Sequence, residues 1–136
     1  MTTSDHDAVL AANRAFYRAF VARDLKAMDA LWASIGAVAC IHPGWDALVG
    51  RDAVMASWAD IFAQPTAISC RDEQVLIHGD SACVICHEAL GGGVLVATNL
   101  YVRQDGAWRL IHHHAGGVAP GAFTAPPPEG SASRLH

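Results

Sequence analysis

The stretch Arg103-Gln104-Asp105-Gly106-Ala107-Trp108-Arg109-Leu110-Ile111-His112-His113-His114 reads as two strands joined by a two-residue hairpin. A loop this short needs positive φ, which Asp-Gly supplies at little cost. Counting outward from Asp105-Gly106 pairs Gln104 with Ala107, Arg103 with Trp108, Tyr101 with Leu110 and Asn99 with His112. Because side chains alternate along a strand, Arg103, Tyr101, Asn99 and Ala97 share one face with Trp108, Leu110, His112 and His114. Val102, Leu100, Thr98, Ile111 and His113 are expected on the other, outer face. Asn99 beside His112 is a hydrogen-bonding pair, and an amide of this kind selects one tautomer of an imidazole.

Working towards the N-terminus, Gly79-Asp80 and Gly91-Gly92-Gly93 separate strands expected near 66–78, 81–90, 94–104 and 107–115. The first of these turns pairs His78 with Ser81 and sets Arg71 opposite Glu88. Glu88 then has two readings: an ion pair on a partly wet face, or a desolvated carboxyl raised toward general acid–base use. Whether Glu88 or His87 shares a face with Asn99 depends on the register of the glycine turn, and a one-residue slip exchanges them. Before residue 66 the apolar period is helical. Helices are expected over 5–23 (Val9, Ala12, Phe16, Phe20), 25–33 with Asp24 as cap, and 51–62 (Val54, Met55, Trp58, Ile61, Phe62), with a strand at 37–42 stopped by Pro43-Gly44. Helices first and a strand meander after predict an α+β fold, helices packed on one face of a strongly curved antiparallel sheet.

The chain has 136 residues, 52% hydrophobic and 16% charged, with a formal net charge of −4. One domain of this size buries about two-thirds of its unfolded surface. The acidic balance excludes a general nucleic-acid binder, which needs clustered Lys and Arg. No stretch reaches the roughly 18 apolar residues of a membrane span. Residues 1–7 lack the basic start and apolar run of a secretory signal. Cys40, Cys70, Cys83 and Cys86 lie in apolar runs, as reduced thiols do, so a cytoplasmic location is expected. Cys83 and Cys86, three apart on a strand, point to opposite faces and do not jointly clamp a metal. Residues 1–118 form the expected domain, and 119–136, rich in Ala, Pro and Gly, are expected to be a flexible extension.

Several stretches resemble the nuclear transport factor 2-like superfamily, which includes ketosteroid isomerases and SnoaL-like cyclases. Arg23-Asp24-Leu25-Lys26-Ala27-Met28 with Leu31-Trp32 looks like the link between its first two helices. Ile41-His42-Pro43-Gly44-Trp45 through Val49-Gly50-Arg51 looks like its first strand and third-helix start, and Arg103–His114 like its last hairpin. That hairpin is also similar to the association domain of calcium/calmodulin-dependent kinases. The resemblance implies a cystatin-like cone, a bent sheet around three helices enclosing an apolar pocket, and a homodimer formed through the outer sheet face. It also places His42 where ketosteroid isomerases carry a catalytic Asp before a Pro. Their oxyanion Tyr falls on Phe16, next to Tyr17, and their second acidic donor falls near Thr98 or Asn99. Loss of both acidic donors argues against steroid isomerisation.

The candidate catalytic residues are therefore His42 as acid or base, with Glu88 or His112 as the second polar group. Tyr17, Trp32, Trp45 and Trp58 are expected to wall the pocket, with Asn99 and His114 contributing polar atoms. His42, His112 and His114 could share a metal, yet no further ligand stands at a recognisable spacing, and neither a metal nor a cofactor is expected. The expected ligand is a small apolar or carbonyl-containing molecule. The expected activity is isomerase, cyclase or dehydratase chemistry; the alternative is a non-catalytic homodimeric binding or association module.

Overall fold

The computed structural model describes residues 3–119; the expected flexible extension lies, from residue 120 onward, outside the described residues. Helix α1 (Asp5–Ala22) starts at Ser4, whose side chain accepts the Asp7 N–H at 3.1 Å, with Asp5 and Asp7 complementing the positive end of the helix. It ends where Arg23 turns left-handed (φ 53°) and returns its N–H to the last turn. Asp24 then caps α2 (Leu25–Leu31) by accepting the Ala27 N–H at 3.0 Å. Strands β1 (Ala39–Ile41) and β2 (Leu48–Val49) flank the Pro43-Gly44 turn, and α3 (Arg51–Ile61) follows. The meander is β3 (Ile68–His78), β4 (Ser81–Leu90), β5 (Gly93–Gln104) and β6 (Ala107–Gly117). Helix α1 packs against β3, β4 and β6, so the meander curls around it.

The six strands lie in the order β2-β1-β6-β5-β4-β3. The sheet is mixed, not wholly antiparallel, because β1 pairs with β6 in parallel, Ala39 beside His112 and Ile41 beside His114. β1 covers an edge of β6 that would otherwise present unpaired backbone groups. Two irregularities decide which side chains face inward. In β6 the pairing runs Tyr101↔Leu110 and then Leu100↔His112, leaving Ile111 as an extra residue. In β3, Asp72 and Glu73 together stand where one residue would be, with Asp72 at φ 57°.

The helical stripes and the inner sheet face meet in an aromatic core. Phe16 and Phe20 of α1 meet Trp58 of α3 edge-on, with ring centroids 5.5 and 5.0 Å apart, and Phe62 lies 5.6 Å from Trp58. Edge-to-face contacts of this kind add about 0.5–1.5 kcal/mol each to the gain from burial. Arg51 at the start of α3 binds the end of α2: its guanidinium donates to Asp29 O at 2.6 Å, Trp32 O at 3.1 Å and Ala33 O at 3.1 Å. Among the described residues no helix is long and apolar enough to cross a membrane.

Candidate functional site

The extra residue in β6 moves the phase of the histidine run by one. Asn99 pairs with His113, not with His112, and Thr98 pairs with His114. His113 is therefore interior, 1% exposed, while His112 and His114 stand on the outer face with their rings 6.3 Å apart. The expected inward pair His112 and His114 is thus corrected, and His113, expected outside, takes their place. The glycine turn resolves the second open register. Leu90 pairs with Gly93, which puts Glu88 and Asn99 on the inner face and turns His87 outward to Asp72 at 2.9 Å. Glu88 faces Cys70, not Arg71, so the expected cross-strand ion pair does not form.

Glu88 is 2% exposed, and among the described residues no Lys or Arg pairs with it. Its carboxyl accepts the Tyr17 hydroxyl at 2.6 Å and stands 3.9 Å from Nε2 of His113. Burial raises the Glu88 carboxyl above the usual carboxylate range, with the Tyr17 hydrogen bond opposing in part. Burial also pushes His113 down to about 3, assisted by the neighbouring His42, His112 and His114. Both shifts run toward the uncharged form, because burial disfavours the carboxylate of Glu88 and the imidazolium of His113. Tyr17 is raised as well, by burial first and by Glu88 second, and remains a hydrogen-bond donor.

A chain of amides fixes which nitrogen of His113 carries its proton. Glu73 accepts from Asn13 Nδ2 at 2.9 Å, so Asn13 presents its carbonyl oxygen inward. That oxygen accepts from Asn99 Nδ2 and from the Tyr101 hydroxyl, both at 2.9 Å. Asn99 must then turn its own oxygen to His113 Nδ1, 2.5 Å away, and His113 Nδ1 donates to it. The lone pair is left on Nε2, the atom facing Glu88. Asn99 Nδ2 also reaches the Tyr17 hydroxyl at 3.3 Å. Asn13 was missed in the sequence, although a polar side chain on the apolar stripe of α1, between Val9 and Phe16–Tyr17, was the available signal.

His42 is also interior, 2% exposed, and burial lowers it to about 4. Ser57 gives its proton to Val54 O at 2.6 Å, so His42 Nε2–H donates to Ser57 Oγ at 2.9 Å. His42 therefore ties the end of β1 to α3, with its ring 6.2 Å from that of His113. Trp58 packs against both rings, 4.8 Å from His42 and 5.8 Å from His113. Trp45 covers His42 from outside, 43% exposed with its ring at 4.9 Å. Trp32 is buried where the chain leaves α2 and bridges to Leu110, away from Glu88. Among the described residues no three His, Cys, Asp or Glu side chains are grouped to hold a metal ion.

A groove of about 690 Å³ opens between α1 and β3, lined by Tyr17, Val21, Ile68, Cys70 and Glu73, with Arg14 and Arg18. Tyr17 belongs to both places: its ring lines the groove and its hydroxyl holds Glu88.

A SnoaL-like domain family matches residues 9–120. The chain belongs to that family. Its fold is that of the wider nuclear transport factor 2-like superfamily. A Streptomyces avermitilis structure provisionally called a dehydratase of that superfamily is 36% identical, covering 84% of this chain and 96% of that one, with a TM-score of 0.77. A Thiobacillus denitrificans structure, provisionally called a type II calcium/calmodulin-dependent protein kinase association domain, is 35% identical over 80% of this chain and 94% of that one (TM-score 0.73). The F-box protein SKIP8 of Arabidopsis thaliana is 30% identical over 79% of this chain and 48% of its own length, so the chain spans about half of that relative.

Proposed function

We propose that this SnoaL-like protein is a small-molecule acid–base enzyme of the dehydratase or isomerase kind, with Glu88 and His113 as its proton-transferring pair. The observation that carries the reading is Glu88 itself: a carboxyl 2% exposed, without a Lys or Arg partner among the described residues, held by Tyr17 and facing the unprotonated Nε2 of His113. A buried ionisable group of this kind costs stability, and such groups concentrate at functional sites. Tyr17 holds and orients the Glu88 carboxyl through its hydroxyl. In an elimination, the base takes the proton α to a carbonyl, the electron pair of that C–H bond forms the double bond, and the β-hydroxyl leaves as water with the acid's proton. In an isomerisation the same proton returns at another carbon. The groove beside Tyr17 supplies an apolar wall and suits a small carbonyl compound with an apolar body. The likeness to the Streptomyces avermitilis protein supports the dehydratase side of this reading.

The test is exchange of α-hydrogens for deuterium in heavy water, followed by mass spectrometry on a panel of small ketones and β-hydroxy thioesters. We expect incorporation above buffer for the wild type, loss in Glu88→Gln and a marked reduction in His113→Gln. Equal incorporation by wild type and both variants would remove the assignment. The second reading, a homodimeric binding or association module, is favoured by the interior packing of Phe16, Phe20, Trp58 and Phe62 and by the likeness to the kinase association domain. Ligand binding in a thermal-shift screen of the same compounds, without exchange at any of them, is its expected signature.

A further inference from the structure

The groove between α1 and β3 carries a charge that the fold does not use. Arg14, Arg18 and Ala22 stand at four-residue steps on α1, so they share one side of the helix, and the groove follows them for about 12 Å of its length. Val21, Ala22 and Ile68 make one end apolar, while Tyr17 and Cys70 line it where β3 passes Glu88. Among the described residues Glu73 is the acidic side chain of the groove. Both of its oxygens are engaged, Oε2 by Asn13 at 2.9 Å and Oε1 by Arg14 at 3.3 Å. Arg18 stands apart from this arrangement. Its side chain is exposed and, among the described residues, makes no hydrogen bond or ion pair. By contrast Arg23, Arg51 and Arg109 hold backbone oxygens, and Arg103 holds Asp5 and Asp80. Arg14 and Arg18 against Glu73 leave the groove one positive charge, on a chain whose formal net charge is −4.

We propose that the groove binds an amphipathic monocarboxylate, its carboxylate paired with Arg18 and its apolar body lying along Val21, Ala22 and Ile68. A guanidinium offers parallel N–H donors that match the two oxygens of a carboxylate, and an apolar wall beside it favours a ligand that is oily next to its charge. Charge balance selects the monoanion. One carboxylate neutralises what Glu73 leaves uncompensated, whereas a phosphate monoester brings a surplus negative charge close to Glu73. Arg14 keeps its bond to Glu73, which in turn keeps Asn13 in place, so the ligand leaves the buried amide chain undisturbed. Taken with the acid–base reading, on which this step alone rests, the site names the substrate class: a carbonyl compound with a carboxylate at its far end. The carbonyl then lies on the Tyr17 side of the groove, where Glu88 stands.

The full chain is titrated in a calorimeter with phenylacetate, 4-phenylbutyrate and 6-phenylhexanoate, each beside its uncharged amide, and with phenethyl phosphate. We expect the best acid to bind about five- to tenfold more tightly than its amide, the yield of one partly exposed ion pair. Arg18→Gln is expected to bring the acid down to the affinity of the amide and to leave the amide unchanged. Val21→Glu, one turn along the helix, is expected to abolish the preference by offering Arg18 a carboxylate of its own. Arg18 and Val21 are both exposed, so each variant is expected to keep its fold, which far-UV circular dichroism checks. Glu88→Gln is expected to bind the acid as the wild type does. Acid-selective binding that depends on Arg18 supports the site even where no α-hydrogen exchange is found, which separates it from the acid–base reading. Equal affinity for acid and amide, a preference that survives in Arg18→Gln, tighter binding of the phosphate, or no binding of any of these compounds would each overturn the proposal.

Discussion

At the scale of single residues, the interior is decided by where protons sit. Burial lowers His113 to about 3 and His42 to about 4, both below the usual imidazole value. A depressed histidine contributes stability that is present above the unfolded value, near 6.5, and lost as pH falls toward the folded value. Each group then removes about 1.4 kcal/mol per pH unit inside that window. Urea unfolding between pH 6 and pH 4 is expected to show a shallower loss in His113→Gln by about that slope; an unchanged slope would mean His113 is not held neutral. Glu88 works in the opposite sense. Its raised value gives stability that is fully present below the ordinary carboxylate value and lost as pH rises through the raised one. Glu88→Gln is therefore expected to be more stable than wild type at pH 8 and to lose this advantage at pH 4, while losing exchange activity. Asn13→Leu leaves the Tyr101 hydroxyl and Asn99 Nδ2 without their acceptor, a loss of about 2–4 kcal/mol by the usual cost of orphaned buried donors. Nitrogen-15 shifts of His113 check the relay directly: Nδ1 is expected to be protonated in wild type, and a mixture is expected once Asn13 is replaced.

At the scale of elements, the strand and helix order was readable, because Asp105-Gly106, Gly79-Asp80 and the caps Ser4 and Asp24 each enforce a local geometry. The face of each strand was readable only as far as the ladder stayed regular. Nothing local marks Ile111 as an extra residue, since a bulge there is chosen by the curvature that β6 needs to pass over α1 and accept β1. That one residue reversed the assignment of His112, His113 and His114. The same holds for Asp72–Glu73, which displaced Arg71 and brought Cys70 opposite Glu88. Glu88 and Asn99 come to the same face through the β4–β5 ladder, which is regular from Leu90↔Gly93 onward, a register the glycine turn left open in the sequence. Arg51 carries another element-scale role, since it satisfies backbone oxygens where α2 ends and joins that end to α3. Arg51→Ala is expected to cost about 2–3 kcal/mol in chemical unfolding, and Arg51→Lys to recover little, because an ammonium lacks the guanidinium's fork of donors.

At the scale of the whole molecule, the sheet has a second surface that the helices leave uncovered. Leu76 and Val96 are among its large exposed apolar side chains, at 46 and 40% exposure. An apolar face of this kind suits association with a second copy, and we expect light scattering to give a dimer. Val96→Lys is expected to shift the population to monomer without altering the circular dichroism of the fold; an unchanged mass would place any association elsewhere. The histidine run at the centre of that sheet has a consequence for how the family can vary. Three consecutive imidazoles make β6 tolerant of its own alignment. If the bulge at Ile111 were lost by a slip of pairing, His112 would come opposite Asn99, and a slip the other way would bring His114 there. Either way an imidazole would still face the amide, so the repetition acts as redundancy, protecting the chemistry of one position against errors of strand phase.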